Sequence, residues 1–394
     1  MSARFSEQYA AVADSLPTDV VSAERRRSAV EMLTAQGLPT SRDENWKYVN
    51  LRPLEKVRFT PAPPSPIDAS ALPPAIQGYE RRVFVNGAGG AAPTQLSSPV
   101  GPDARFAALN DVFATGQASI HVTSGAACLE LVFVATADAQ AGASYPRVNI
   151  HVEPNARLTL IERHLSVGSD SNFVNSFVNV QVDKGATVQH YRVQSLGARA
   201  IWYDTLNATL TSDATYRVYS VGLGAQIARS TVSVKLAGER AETGIYAASV
   251  GDRQQNHDTY VVVDHTVPRA RTEQTFRGIA GGRSRVSFNG KVVVRKDAHG
   301  TDSQQSLRGL LAGPEAEIDV RPQLEIYTDD VRCAHGATAG KLDENMKFYL
   351  LSRGLEPETV QRLLEWAFLE DVVARIEVPE LRKQIEQSLD QELS

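Results

Sequence analysis

The feature that most constrains the fold is a long succession of short strand-like segments, which begins near residue 118 and continues to about residue 335. The segments are rich in β-branched residues and are bounded by Gly, Asn, Asp or Pro, which is typical of β-strands that end in turns. Clear examples are 129–134, 148–152, 158–161, 177–182 and 188–193. No long helical pattern lies between them, which argues against a doubly wound α/β fold.

A loose repeat runs through these strands. Ala156, Ala186 and Ala214 each follow a turn sequence and precede an alternating strand, and they are separated by 30 and 28 residues. Such a period, made of two short strands and their turns, suits a parallel β-solenoid, in which each coil buries its inner side chains against its neighbours. The hairpins of a sandwich or a barrel give no reason for it. We therefore predict a mainly β chain with a parallel β-helix (solenoid) core over residues 118–335.

Other patterns flank this core. Residues 1–58 carry apolar positions at helical spacing and form a predicted N-terminal helical region, in which Trp46 and Tyr48 are expected to dock on the core. Residues 59–117 contain many prolines and form a predicted linker with lead-in strands. Residues 336–394 return to helical spacing and form a predicted C-terminal helical domain.

Composition and charge limit the classes of function. The 394-residue chain is 42% hydrophobic and 22% charged, with a net charge of −5, so its composition is that of a globular protein without a basic field for nucleic acid. No apolar run is long enough to span a bilayer, and no segment resembles a signal peptide. Two cysteines are too few for a disulfide framework and indicate either a reducing compartment or one reactive thiol. We expect a cytoplasmic protein with no nucleic-acid or membrane partner.

The candidate functional site is the segment 328–354, where the strand pattern gives way to a helical one. Cys333 and His335 are two residues apart, so on an extended segment their side chains project to the same face and can bind one metal or one partner surface. Gly336 and Gly340 are expected to let the chain turn sharply. The alternative is a buried thiol beside a solvated loop histidine, because two ligands do not complete a metal site.

Two other motifs are weaker. The sequence from Gly336 to Lys341 resembles a phosphate-binding loop, but only three residues separate its glycines and Leu342 replaces the Ser or Thr that would bind Mg²⁺. ATP hydrolysis by this chain is therefore excluded. His257 and His265 are eight residues apart and would share one face of a strand. They form either a metal pair or a solvated strand face, and no third ligand lies near them in sequence.

The segment around Cys333 also carries a family resemblance. The sequence Asp-Asp-Val-Arg-Cys-Ala-His-Gly-Ala-Thr-Ala-Gly, which begins at Asp329, is followed by Phe-Tyr-Leu-Leu-Ser-Arg-Gly-Leu from Phe348. This block closely resembles the SufB/SufD family of the SUF iron–sulfur cluster assembly system. The resemblance covers essentially the whole chain, with further matches at Gly37-Leu-Pro-Thr, Phe84-Val-Asn-Gly, Phe288-Asn-Gly-Lys and Pro322-Gln-Leu-Glu-Ile. The chain length, and Gly336 where the SufB branch carries a glutamate, favour the SufD branch.

The resemblance implies a right-handed parallel β-helix between N-terminal and C-terminal helical parts. It implies a non-catalytic scaffold or accessory subunit that joins a SufB-like subunit and a SufC-like ABC ATPase in iron acquisition and de novo cluster assembly. The iron–sulfur cluster would be transient and shared with the SufB-like subunit, and none would be tightly bound by this chain alone. ATP hydrolysis would take place in the partner ATPase.

The resemblance also assigns roles to residues. His335 maps to a histidine that lies at the interface of the two related subunits and is implicated in cluster formation, and Cys333 maps to the cysteine two positions earlier. The following helix resembles the docking surface for the ATPase, which the resemblance assigns to Phe348, Tyr349, Leu351, Arg353 and Gly354. Imidazole and thiolate are suitable iron ligands, but a stable cluster usually takes four. We expect the missing ligands on another chain.

Three alternatives stay open. A SufB-like paralogue would share the same block. A β-solenoid carbohydrate-active enzyme would expose a groove of acidic and basic side chains, for which Asp252, Arg253 and Asp297 are candidates. A structural homo-oligomer would pair the open strand edges at the end of its solenoid. We expect that edge to pair with the SufB-like subunit, or with a second copy when the chain is made alone.

Overall fold

The computed structural model describes residues 2–49, 51–55, 61–88, 104–136, 142–168 and 171–393. These residues contain six α-helices: α1 Ser2–Val12, α2 Ala23–Gln36, α3 Arg105–Phe113, α4 Glu344–Ser352, α5 Pro357–Val373 and α6 Pro379–Glu392. Residues 59–60 and 89–103 of the predicted linker, and 137–141 and 169–170 of the predicted core, lie outside the described residues.

The same described residues contain eighteen strands, which make up most of the chain between the two helical parts. They are β1 Glu80–Val85, β2 Ala118–Val122, β3 Ala126–Thr136, β4 Ala143–Ser144, β5 Arg147–Val152, β6 Arg157–Val167, β7 Phe173–Val182, β8 Thr187–Ser195, β9 Ile201–Leu210, β10 Thr215–Gly222, β11 Ile227–Leu236, β12 Glu242–Gly251, β13 Asn256–His265, β14 Arg271–Ala280, β15 Arg285–Val294, β16 Thr301–Leu311, β17 Glu317–Ile326 and β18 Val331–Gly340.

The strands form two parallel sheets on either side of a shared apolar core. The first sheet has the order β1-β3-β6-β8-β10-β12-β14-β16-β18, and the second has the order β2-β5-β7-β9-β11-β13-β15-β17 with β4 beside β7. From β5 onward successive strands alternate between the sheets, so each coil adds one strand to each sheet and stacks in register on the coil before it. This is a β-solenoid of about seven turns, and the predicted fold class is confirmed.

The repeat in the sequence is one corner of this solenoid. Each coil passes from the second sheet to the first through a tight turn that ends in a fully buried alanine, and five of these alanines are Ala156, Ala186, Ala214, Ala241 and Ala270. The carbonyl of each one accepts a hydrogen bond from the next coil. The residue before each alanine has a positive φ, between 58° and 69°, a conformation that Gly, Asn and Asp tolerate best. The recurring pattern of turn, alanine and strand follows from this geometry.

The N-terminal helices pack on the outer face of the second sheet. Trp46 is buried there, with its ring 5.1 Å from that of Phe106 and the guanidinium of Arg229 at 4.4 Å from its centre. Tyr48 lies 5.0 Å from the guanidinium of Arg285 on β15. Aromatic and cation–π contacts of this kind hold the N-terminal region on the sheet. The predicted docking of Trp46 and Tyr48 is confirmed.

Helices α5 and α6 pack on the outer face of the first sheet. Tyr191, Tyr219 and Tyr246 form a row of stacked rings on that face, and the apolar sides of both helices cover them. Arg277 on β14 and Asp371 on α5 form an ion pair of 2.5 Å. The predicted C-terminal helices are confirmed. Both α5 and α6 begin with a proline, a residue that suits the first turn of a helix. None of the described helices combines the length and the apolar character needed to cross a membrane.

The sharp turn predicted at Gly336 does not occur. Strand β18 continues to Gly340 because it pairs with β16 along its length, with Ser306 opposite Gly336 and Leu310 opposite Gly340. Neither glycine has a positive φ. The solenoid therefore extends beyond the predicted boundary at residue 335, and the chain leaves it only after Gly340.

Candidate functional site at the open end of the solenoid

The last coil of the solenoid is uncovered. Strands β17 and β18 are the final strands of their sheets, and no described strand pairs with their outer edges. The inner side chain of Leu307 on β16 is fully buried, whereas Ala337, its partner on β18, is exposed. Ile326 and Tyr327, at the end of β17, are exposed as well. Because a coil normally buries its inner face against the next one, this end of the solenoid is open in the single chain.

Cys333 and His335 lie on the inner face of this last coil. In the parallel register Cys333 pairs with Ser303 and His335 pairs with Gln305, and both of these β16 residues are buried in the lumen. Cys333 is half-buried against a small apolar cluster around Val292, whereas His335 is exposed. The spacing of Cys333 and His335 places both side chains at the mouth of the lumen, on one face of one strand.

The thiol of Cys333 is not poised as a thiolate. Burial raises its pKa above the usual value and the carboxylate of Asp302 raises it further, while a hydrogen bond with the backbone of Ser303 opposes the rise. The thiol therefore keeps its proton at neutral pH. Metal coordination requires the thiolate, so binding must displace that proton. An arriving cation favours this step.

Cys333 and His335 are an incomplete set of metal ligands. In the described part of the chain, no three or more His, Cys, Asp or Glu side chains are grouped so that they could hold a metal ion. Protein-bound iron–sulfur clusters are usually held by four ligands. The pair can therefore belong to a larger ligand set but does not form a closed site in this chain.

Helix α4 presents an apolar surface to solvent directly after the site. The side chain of Asp343 caps the helix by accepting a hydrogen bond from the N–H of Asn345 at 2.7 Å, and Gly354, with a φ of 86°, follows its end. No residue of α4 is buried. We define the α4 surface as the exposed large apolar side chains in this region, Met346, Phe348, Tyr349, Leu351 and Leu355. Exposed patches of this kind mark interaction sites.

Three of the five predicted ATPase-docking residues belong to the α4 surface. Phe348, Tyr349 and Leu351 are on the helix itself, and Phe348 is the most exposed of them, at 73%. The guanidinium of Arg353 lies 5.1 Å from the centre of the Tyr349 ring. Gly354 closes the helix and provides no side chain. The five residues therefore lie on the exposed helix α4 and on the two residues that follow its end.

His257 and His265 do not form a solvated face, and among the described residues they belong to no group of three or more possible metal ligands. His257 accepts a hydrogen bond from the hydroxyl of Ser249 at 3.2 Å and lies 3.3 Å from the carbonyl oxygen of Ala225. His265 bonds to the hydroxyl of Thr272 at 2.7 Å. Both histidines are buried, and burial lowers the pKa of His265 to about 4. They are neutral core residues, so the interpretation as a solvated face is wrong.

The residues that suggested a carbohydrate-active groove do not meet. Asp252 and Arg253 lie in the corner that joins β12 of the first sheet to β13 of the second. Asp297 lies in the corner that joins β15 of the second sheet to β16 of the first. These are opposite corners of the coil, so the three side chains cannot line one groove.

A buried ionic cluster in the lumen is the feature that the sequence analysis missed. The carboxylate of Glu162 lies 2.6 Å from His164 and 3.0 Å from His190, and Arg192 bridges Glu162 and Asp204 at 2.7 Å each. Burial alone would raise the pKa of Glu162, but Arg192 and the two histidines hold it well below the usual value. The signal is present in the sequence, because Glu162 and Arg192 are 30 residues apart, one coil of the repeat. Both carboxylate oxygens of Glu162 are paired within the cluster.

The comparisons with known proteins define the class. The family model of the SufBD core domain, from the SUF system of FeS cluster assembly, matches residues 133–368. This match covers more than half of the chain, and the chain belongs to the SufBD family.

Two known proteins resemble nearly the whole chain, and a third resembles a shorter part of it. The chain is 28% identical to the iron–sulfur cluster assembly protein SufD of Escherichia coli (strain K12). The alignment has 387 residues and covers 92% of this chain and 91% of that protein. The chain is 26% identical to an iron–sulfur cluster assembly SufBD family protein of Synechocystis sp., and that alignment covers 94% of this chain and 90% of that protein. The chloroplastic protein ABCI7 of Arabidopsis thaliana is 29% identical, in an alignment that covers 61% of this chain and 51% of that protein. The full-length similarity to SufD supports the SufD branch.

The raised pKa of Cys333 leads to a prediction for thiol reactivity. In a Cys128→Ser background, alkylation of Cys333 by iodoacetamide should be slow at neutral pH and should accelerate only above the usual thiol range, because the thiolate is the nucleophile. Asp302→Asn should speed the reaction at fixed pH by up to about fivefold, since a partly exposed charge contributes on the order of 1 kcal/mol. Mass spectrometry of the modified peptide measures both rates. Asp330→Asn is the control, and an equal acceleration by both variants would contradict the role of Asp302.

Proposed function

We propose that this chain is a non-catalytic scaffold subunit of the SUF iron–sulfur cluster assembly complex. In this proposal it acts in the cytoplasm with a SufB-like subunit and a SufC-like ABC ATPase, and it serves iron acquisition and de novo cluster assembly. The single observation that carries the proposal is the open final coil, which presents Cys333 and His335 beside an unpaired strand edge in a chain of the SufBD family.

In this proposal the cluster is the product of the complex, and it forms between the subunits. The imidazole of His335 and the thiolate of Cys333 each donate one ligand to iron from the mouth of the lumen, and the partner subunit donates the others. Nitrogen and sulfur donors of this kind suit iron. A cluster that depends on ligands from two chains is released when the chains separate, which suits transfer to another protein.

The role of His335 leads to the first test. In the complex purified with its partner subunits, His335→Ala should lower anaerobic cluster formation by at least about tenfold, because even residues that only orient a ligand contribute that much to metal affinity. The growth of visible absorbance measures cluster formation, and light scattering confirms that the complex is intact. His121→Ala, an exposed histidine on β2, is the matched control. An intact His335→Ala complex with undiminished cluster yield would refute the proposed site.

The α4 surface is proposed as the docking site for the ATPase subunit. Its exposed aromatic and aliphatic side chains are the residue types that dominate binding energy at protein interfaces. The helix follows directly from β18, so that a motion of the ATPase reaches the ligand-bearing strand through a short connection. ATP hydrolysis in the partner would then open or close the interface at the end of the solenoid.

Phe348 provides the test of ATPase docking. Phe348→Glu should weaken binding of the ATPase subunit by at least about 30-fold, since central aromatic residues commonly contribute about 2 kcal/mol or more. Isothermal titration calorimetry measures the affinity. Val83→Glu, at an exposed apolar position on β1, is the control and should bind normally. Equal affinities for the Phe348 variant and the native chain would place the docking site elsewhere.

The edge of β18 is proposed to pair with the SufB-like subunit, or with a second copy of this chain when it is made alone. Unpaired strand edges are templates for pairing with another chain. The inner face of β18 carries small side chains at Ala337 and Ala339, which are exposed in the single chain. A partner coil would bury them against the end of the lumen.

Light scattering after size-exclusion chromatography tests this pairing. The isolated chain should be a dimer at micromolar concentration, and Ala337→Lys should make it a monomer, because an inward-pointing charge prevents a second coil from stacking there. Ala334→Lys, at an exposed position on the opposite face of the same strand, should remain a dimer. A monomeric native chain, or a dimer that Ala337→Lys leaves intact, would exclude this contact.

A further inference from the structure

The lumen changes character directly beneath His335. One column of inner residues on the first sheet runs in register from Val218 and Ile245 to Gln274, Gln305 and finally His335. Val218 and Ile245 are aliphatic and separate this end of the column from His190 of the buried ionic cluster, whereas the two glutamines are buried amides. A second polar stretch of the column therefore begins two coils below His335 and ends at it.

The amide of Gln305 has a defined orientation. Its nitrogen donates to the side-chain oxygen of Gln274 at 3.1 Å and to the backbone carbonyl of Gly290 at 3.0 Å. Both acceptors belong to strands that precede β16, and the backbone carbonyl of Gly290, which can only accept, requires the nitrogen and not the oxygen of Gln305. Its carbonyl oxygen is buried and has no hydrogen-bond partner among the described residues. The register partner of Gln305 on the following coil is His335.

The opposite sheet is adapted to this pair of amides. A Cβ atom at Gly290 would lie 2.6 Å from the side-chain oxygen of Gln274 and 2.9 Å from the side-chain nitrogen of Gln305. A larger residue at this position would therefore displace the pair. An unpaired buried amide oxygen is unfavourable, and the oxygen of Gln305 belongs to the residue that pairs with His335 in the register of β16 and β18. This arrangement points to a contact between the two side chains.

We propose that Gln305 is the positioning residue for His335, accepting a hydrogen bond from one imidazole N–H. Adjacent strands are about 4.8 Å apart, so a rotation of the exposed His335 side chain brings one ring nitrogen within reach of the amide oxygen. The bond favours one tautomer and turns the other ring nitrogen outward as a ligand, which is the arrangement usual for metal-binding histidines. This inference rests on the proposed role of His335 in cluster assembly.

Nitrogen-15 NMR of the histidine rings in the isolated chain tests the contact without any cluster. The signal of His335 is assigned by its loss in His335→Ala. Gln305→Met, which keeps the length but removes the acceptor, should change the tautomer ratio of His335 by about two- to tenfold, the range that one net hydrogen bond gives. Gln305→Glu keeps an acceptor and should preserve the native preference. Gln304→Met, at the exposed neighbouring position, should have no effect.

Gly290→Ala is a second variant that displaces the amide pair while keeping both glutamines, and it should shift the ratio in the same direction as Gln305→Met. In the complex, Gln305→Met should also lower cluster formation by about tenfold. Equal tautomer ratios in the native chain and in Gln305→Met would overturn the proposal, even where cluster formation falls. Cluster formation that survives His335→Ala would refute the function proposed for His335, while the NMR result would still decide whether Gln305 positions it.

Discussion

The stacking of parallel coils is the interaction on which the rest of the structure depends. Each coil hydrogen-bonds to the next and buries its inner side chains against it, so stability accumulates between neighbours. The same rule leaves the final coil with an unpaired edge and an uncovered inner face. The candidate site occupies this position, because β18 is the final strand of the first sheet and has no described neighbour on its outer side.

The composition of β18 suits a surface that is exposed to solvent in one state and buried by a partner in another. Its inner positions after His335 are Ala337 and Ala339, whereas Leu307 fills the corresponding lumen in the coil below. Small side chains reduce the apolar area exposed to water while the end is open. They also leave the backbone accessible for pairing, which long charged side chains would hinder. The end of the solenoid therefore has features expected of an interface and not of a protected terminus.

The parts of the fold that depend on local sequence were predictable, and those that depend on neighbouring coils were not. The alanine corner is local, since a left-handed residue must precede Ala156 and its equivalents. The predicted turn at Gly336 was wrong because pairing with β16 outweighs the freedom of a glycine. The spacing of His257 and His265 predicts that they share one face of their strand. Only the register with other coils decides whether that face points into the lumen.

The candidate site was predictable in position but not in chemical state. The proximity of Cys333 and His335 follows from a spacing of two residues on any strand. The protonated state of the thiol does not follow from spacing, because it depends on burial at the end of the lumen and on Asp302 from the coil below. The same holds for Gln305, whose amide is oriented by a glutamine from β14 and a glycine from β15.

On the proposed function, these properties make ligand release depend on the interface. A closed set of four ligands would keep a cluster bound to one chain, whereas two ligands bind strongly only when a partner supplies the rest. Partial burial and the negative charge of Asp302 keep Cys333 protonated until a cation arrives, so the thiolate forms together with metal binding and not before it. A subunit motion that withdraws the partner's ligands then favours return of the proton, and the cluster leaves without the chain having to unfold.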